Sequence, residues 1–144
     1  MGANPFNTYG VGLNNVGSYQ VAGTSWITGS TTLPAGHEVG YDFPMVTKTL
    51  TVINRSNENV RVHFNSTGSG DVVGGLHFVE LDSKNDSYTF NIKSKEIYIS
   101  APAANGGNAS FTITAELTQI DSGRMYVLTG SGLTTIDRDA QKDQ

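Results

Sequence analysis

Three histidines are the side chains of this chain best suited to hold a metal ion or to exchange protons near neutral pH: His37, His63 and His77. His63 and His77 each stand between two apolar residues, so pairing of their predicted strands would bring the rings together. A metal site needs a third ligand, and no HxH or HExxH motif supplies one, while no recognised spacing recruits Asp71 or Glu80. The sequence therefore predicts solvent-facing strand histidines, with no metal site and no other cofactor.

Four carboxylates are candidates for acid–base work at a glycosidic bond, because such partners can be far apart in sequence. They are Asp42, Asp71, Glu80 and Glu116. A sugar-cleaving site usually also offers stacked aromatic rings, and Trp26 is the single tryptophan. Ser69 lies between two glycines, but in a predicted loop that lacks the strand-to-helix context of a nucleophile elbow. The residue pattern predicts that the protein is not an enzyme.

Two loops are similar to ligand-binding motifs and depart from them at the positions that matter. Residues 10–17 (GVGLNNVG) resemble a dinucleotide fingerprint, but Asn15 stands where the third glycine belongs, and no strand–helix context surrounds it. Residues 82–86 (DSKND) offer oxygen ligands for calcium, but they lack the glycine and terminal glutamate of an EF-hand loop. We expect an extended arm at the first segment and an Asx-rich turn at the second.

Trp26, Tyr19 and Tyr41 allow two interpretations. They could form a stacking platform for a sugar, which would make the chain a carbohydrate-binding module. Trp26 could equally be a core residue of a β-sandwich, where large aromatic rings dominate the packing.

Composition narrows the classes of partner. The chain has no cysteine, so disulfides, thiol nucleophiles and cysteine-ligated metals are excluded. Its formal net charge is −4, with 9 basic and 13 acidic residues, and no basic cluster offsets that charge, so direct nucleic-acid binding is not expected. No apolar run reaches the length of a membrane span, and the first residues lack the features of a signal peptide.

Hydrophobic alternation with period two dominates the chain and indicates β-strands. The clearest are residues 45–54 and 111–117, in which apolar residues alternate with polar ones, mostly threonine; no segment shows a capped helical period. Further strands are predicted at residues 16–22, 25–28, 38–43, 60–64, 76–81, 88–92, 97–99 and 125–129, and we expect Leu50, Val52, Phe64, Phe90, Ile97, Phe111 and Ile113 to face the core. This pattern predicts an all-β fold, a two-sheet antiparallel sandwich or jelly roll.

The domain organisation is predicted as an extended N-terminal arm at residues 1–15, a β-sandwich domain at 16–136 and a polar C-terminal tail at 137–144. Glycines and a proline interrupt the arm, yet it carries four apolar or aromatic side chains, Phe6, Tyr9, Val11 and Leu13. An isolated tail cannot shield such side chains from water. We therefore expect these four residues to bind a partner.

Several strand and turn segments resemble small virion proteins of tailed phages, particularly marine and cyanobacterial ones. The resemblance covers residues 43–117, through FPMVTK at 43–48, TVINRS at 51–56, VRVHF at 60–64, KEIYI at 95–99 and the strand at 111–117, and the opening NPFNTYGVG at 4–12 is similar too. The usual role in that group is a decoration or cement protein on the capsid exterior, and some members belong to tails or fibres. The group offers no catalytic residues.

This resemblance implies a non-enzymatic structural protein located in the virion, most simply on the capsid surface. Its expected partners are the major capsid protein or other virion subunits, together with further copies of itself, for which a trimer at a local three-fold axis is the natural arrangement. A tail, baseplate or fibre component and a carbohydrate-binding module are the alternatives.

Overall fold

The computed structural model describes residues 12–14, 16–20, 22–67, 71–74 and 76–125 of the 144-residue chain. About half of the described residues lie in strands. The elements in chain order are α1 (Gly17–Gln20), β1 (Thr24–Leu33), β2 (Glu38–Asp42), β3 (Met45–Asn54), β4 (Val60–His63), α2 (Asp71–Gly74), β5 (Val79–Leu81), β6 (Ser87–Phe90), β7 (Glu96–Ser100), β8 (Ala109–Asp121) and a 3₁₀ turn at Ser122–Arg124.

The strands form two four-stranded antiparallel sheets that pack face to face. The first sheet, sheet A, has the order β1-β8-β3-β6, and the second, sheet B, has the order β2-β7-β4-β5. Eight strands in these two orders form a jelly roll, in which the chain crosses repeatedly between the sheets. The predicted all-β two-sheet fold is therefore confirmed.

The core lies between the sheets because the apolar residues of each strand alternate onto its inner face. In β8 the inward series Phe111, Ile113, Ala115 and Leu117 is buried, while the intervening residues point to the outer face. The predicted core residues Leu50, Val52, Ile97, Phe111 and Ile113 are buried, and Phe64 and Phe90 pack partly buried against them.

The antiparallel order gives the sandwich two different ends. At one end of the sandwich the odd-numbered strands begin and the even-numbered strands finish. This end also carries α1 and α2, and we call it the helical end. The opposite end carries the polar connections at residues 34–37, 55–59, 82–86 and 101–108.

Several local predictions are wrong. Residues 16–22, predicted as a strand, contain helix α1 instead, in which the Tyr19 amide donates to the Val16 carbonyl at 3.0 Å. The strand predicted at 76–81 is limited to Val79–Leu81, because α2 and its C-terminal turn occupy the preceding residues. The strand predicted at 25–28 is longer than expected, because β1 runs from Thr24 through Gly29 to Leu33.

The alternation over residues 45–54 predicts Thr47 on the outer face with the other threonines of β3, but Thr47 is buried. The pairing of β3 with β8 shifts register on both sides of Thr47, and this irregularity turns its side chain inward. There the Thr47 hydroxyl donates to the Ile92 carbonyl at 2.9 Å and accepts from the Ser94 amide at 3.0 Å. Of the last predicted strand, 125–129, only Met125 lies within the described residues, and it follows the 3₁₀ turn.

Candidate interaction surface

The helical end is the apolar part of the described surface. Large hydrophobic side chains are exposed at six described positions, and four of these lie at this end: Val16, Met45, Val73 and Leu76. Val16 is 66% exposed and Leu76 is 73% exposed. A soluble domain normally buries such side chains or scatters them, so their concentration at one end marks a surface for binding another molecule.

A small second core supports this surface. Val46, Ile120 and Met125 form a buried cluster of their own, against which Leu13, Tyr19 and Phe64 pack. The Tyr19 hydroxyl donates to the Leu13 carbonyl at 2.7 Å, which ties the segment before α1 to this cluster. Packing against this buried cluster therefore holds the apolar surface in place.

A shallow, mainly apolar groove runs beside that cluster. Its lining consists of Leu13, Asn14, Val16, Tyr19 and Lys93. The Lys93 ammonium lies 5.6 Å from the centre of the Tyr19 ring, over its face, which is a cation–π contact. The groove thus combines apolar walls with one positive charge at its rim.

Leu76 is an apolar knob on a strained backbone. The His77 amide donates to the Val72 carbonyl at 2.8 Å and the Leu76 amide to the Val73 carbonyl at 3.2 Å, which is a Schellman C-cap on α2. Leu76 occupies the left-handed position of this cap, at φ 59°, where glycine is the favoured residue. The backbone conformation disfavours leucine at this position, and the exposed side chain contributes little to the packing of the core. The stability of the fold therefore does not explain why residue 76 is a leucine.

The four predicted partner-binding residues of the arm are divided between the described and undescribed parts of the chain. Leu13 is half-buried and lines the groove, so it belongs partly to its own domain. Phe6, Tyr9 and Val11 lie outside the described residues, as do most of the predicted arm and the whole predicted tail. Residues 1–11 join the described chain at Gly12, and residues 126–144 join it at Met125, both at the helical end.

His63 is buried, so the prediction of a solvent-facing histidine is wrong for this residue. Its side chain leaves β4 on the outer face of sheet B, but the segment after β4 folds over it and only 1% stays exposed. Its Nδ1–H donates to the Asn65 carbonyl at 2.6 Å, and its Nε2 accepts from the Ser100 hydroxyl at 2.9 Å. The Tyr98 ring stacks parallel to the imidazole, with centroids 6.1 Å apart.

This environment makes His63 a structural residue. Burial lowers the pKa of His63 because it disfavours the charged ring, and this outweighs the bond to Asn65 and the nearby Glu38 carboxylate. Burial by itself would raise the pKa of Glu38, but hydrogen bonds from Thr67 and Ser66 outweigh it and lower that pKa. Ser100 and His63 resemble a nucleophile and its base, but Ser100 is 7% exposed and His63 1% exposed, so their hydrogen bond lies within the packed fold.

Three of the four candidate catalytic carboxylates, Asp42, Glu80 and Glu116, lie apart, and the side chain of Asp71 lies outside the described part of the structure. Glu116 lies on the outer face of sheet A, where it accepts a hydrogen bond from the Thr49 hydroxyl. Glu80 lies on the outer face of sheet B and forms a 3.3 Å ion pair with Arg61. Asp42 faces Glu96 across β2 and β7, and burial together with the Asp42 charge raises the pKa of Glu96. Each of these carboxylates thus has a local role.

Trp26, Tyr19 and Tyr41 do not form a common platform. Trp26 packs edge-to-face against Tyr41 and Phe43, with ring centroids 6.2 and 4.9 Å apart, and Tyr41 packs in the same way against Phe111. These rings close the side of the sandwich between β1 and β2, while Tyr19 lies at the helical end. Trp26 is therefore a partly buried core residue.

Residues 82–86 form the expected turn. The Asp86 carboxylate accepts from the Ser83 amide at 3.1 Å, and Asn85 takes a left-handed conformation at φ 72°, which asparagine tolerates well. Among the described residues, no three histidine, aspartate or glutamate side chains are grouped so that they could hold a metal ion. Within the same part of the chain, no helix has the length and apolarity needed to cross a membrane.

Comparison of the chain with protein-family models, with curated proteins and with solved structures finds no match.

Proposed function

We propose that this chain is a non-enzymatic virion structural protein, a decoration or cement subunit that binds an assembled capsid through its helical end and its N-terminal arm. The observation that carries the proposal is the concentration of exposed apolar side chains at the end of the sandwich where residues 1–11 join the fold. The resemblance to phage virion proteins agrees with it. Jelly rolls are also common in viral capsid proteins, although fold likeness alone carries little weight for function.

The helical end and the arm are physically suited to act together. Burying one Val, Leu or Phe side chain stabilises a complex by about 1.5–3 kcal/mol before ordering costs. Ordering an extended arm costs about 1–2 kcal/mol per residue, so the arm gains little unless it docks on a shaped surface. A folded end that already presents Val16, Val73 and Leu76 provides part of the contact without that cost.

The mechanism is mass action. A subunit that binds the assembled shell and not the free capsid proteins lowers the free energy of the shell, and it opposes disassembly in proportion to its occupancy. This role needs a stable domain and a binding surface, and it needs no catalytic group.

A tail, baseplate or fibre component would use the same apolar end, and copy number in the particle separates it from a capsid protein. A carbohydrate-binding module would need a stacking platform other than Trp26 and Tyr41, because those rings pack edge-to-face at the side of the core.

The test compares two exposed hydrophobic residues in a binding assay with capsids stripped of this protein. Leu76→Asp changes the helical end, and Tyr88→Asp changes another exposed hydrophobic side chain, on edge strand β6, as the control. We expect Leu76→Asp to weaken capsid binding at least tenfold and Tyr88→Asp to leave it unchanged, with both variants folded by circular dichroism. Equal binding by the two variants would contradict the proposal.

A further inference from the structure

The four outer edges of the two sheets are not equivalent. Strand β5 has three residues and β6 has four, so each offers few backbone groups for pairing. Strand β2 has five residues and carries Glu38 and Asp42, and charges of this kind oppose edge-to-edge pairing. Strand β1 has ten residues, TSWITGSTTL, with neither a charge nor a proline. It is thus the one described edge that lacks the usual protection.

The open side of β1 presents unpaired backbone groups. Among the described strands, β1 pairs only with β8, and its pairing is regular from Thr24 to Ser30 before the register shifts towards Leu33. In an antiparallel strand every second residue points its N–H and C=O away from the existing neighbour. A long, regular and uncharged edge of this kind is a template for one more strand.

The position of Ile27 indicates which strand would pair with the open edge of β1. It lies at the centre of the regular stretch Thr24–Ser30 and is 69% exposed on the outer face of sheet A, beside Thr114 of β8. When a second β1 pairs antiparallel over the same stretch, the two-fold axis passes through the centre and places the two Ile27 side chains opposite each other. This symmetric register buries the most exposed apolar side chain of the sheet against its own copy, and because β1 carries no charge it pairs no charged residue with another.

We propose that β1 is a homotypic interface, at which a second copy of this chain pairs antiparallel through its own β1 and joins two copies of sheet A into one eight-stranded sheet. The register places Ile27 opposite Ile27 of the second copy. The contact is two-fold, so it yields a dimer, in contrast to the trimer expected from the sequence. This interface leaves the helical end free, so the test of dimerisation and the test of capsid binding can fail independently of each other.

The absence of cysteine from the chain allows a direct test. Opposed residues in an antiparallel pair have Cβ atoms about 4.5–5.5 Å apart, which is close to the separation that a disulfide needs. The full-length Ile27→Cys variant is oxidised mildly and analysed by non-reducing electrophoresis. Tyr88→Cys, which is exposed on the opposite edge of sheet A, is the matched control. We expect Ile27→Cys to form covalent dimers at least tenfold faster than Tyr88→Cys.

A second variant tests the contact without a cross-linking reaction. Ile27→Lys places two positive charges opposite each other at the proposed axis, and because residue 27 faces solvent the fold should tolerate it. By analytical ultracentrifugation we expect the native chain to dimerise and Ile27→Lys to weaken that dimer at least tenfold. Equal cross-linking of the two cysteine variants, or a monomeric native chain, would overturn the proposal, as would an Ile27→Lys chain that associates as the native one does.

Discussion

Replacement of Phe111 by alanine tests the register of the central strand β8 and the location of the core. Phe111 is 2% exposed, lies between the sheets and packs its ring edge-to-face against Tyr41 at 6.2 Å. A buried aromatic ring removes roughly 150 Å² of apolar surface from water, which is worth about 4 kcal/mol at about 25 cal/mol/Å². Because the site also relaxes only partly around the cavity, we expect Phe111→Ala to lower the free energy of unfolding by about 3–5 kcal/mol.

The neighbouring residue provides the control. Thr112 faces the outer side of the same strand, where its hydroxyl receives a 3.3 Å hydrogen bond from the Arg55 Nε–H. We expect Thr112→Ala to cost less than about 1 kcal/mol. Urea denaturation measures both values, and at a typical slope of about 2 kcal/mol/M the Phe111 midpoint should fall by roughly 2 M. Equal losses at the two positions would show that the assigned register of β8 is wrong.

Three further predictions concern His63, Leu76 and the absence of a metal. The pKa of His63 is lower in the folded chain than in the unfolded one, so the stability that the neutral ring contributes is present above pH about 6.5 and is lost as pH falls through the folded pKa. The melting temperature should therefore drop over that pH range, and His63→Gln should remove the part of the drop that His63 causes. Leu76→Gly should raise the free energy of unfolding by roughly 0.5–1 kcal/mol, because glycine relieves the left-handed backbone; a loss of stability would show that the leucine packs usefully on its own domain. Melting curves should coincide with and without EDTA, and a fall of several degrees in chelator would reveal a metal site, most simply at residues 82–86.

The strands that the sequence predicts best are those whose faces differ most in polarity. In β8, apolar residues alternate with threonine or glutamate over residues 111–117, and β3 shows the same alternation over residues 49–52; the structure places both strands at the centre of sheet A. Thr47 departs from that alternation because a register irregularity turns it inward, and no local pattern signals such a shift.

The errors elsewhere have non-local causes. His63 alternates correctly onto the outer face of sheet B, and only the folding of residues 64–67 back over β4 buries it. Residues 16–22 are predicted as a strand from their local pattern, but Tyr19 packs on the second core at Val46 and Ile120, and this packing favours a helical turn.

The candidate surface could not be predicted from the sequence because its members are far apart along the chain. Val16, Met45, Val73 and Leu76 meet at one end only because the jelly-roll order brings the start of β3 and the connection between β4 and β5 to the same end as α1. The sequence predicts four partner-binding residues in the arm, and of these only Leu13 is described, at the rim of this surface.

The most direct test of the central claim is the copy number of this chain in purified particles, measured by quantitative mass spectrometry against the major capsid protein. A decoration or cement subunit should be present in hundreds of copies on DNA-filled heads and should remain with heads that have been separated from tails. A few copies per particle, recovered with the tails, would contradict a capsid role, and absence from the particles would contradict a virion role altogether.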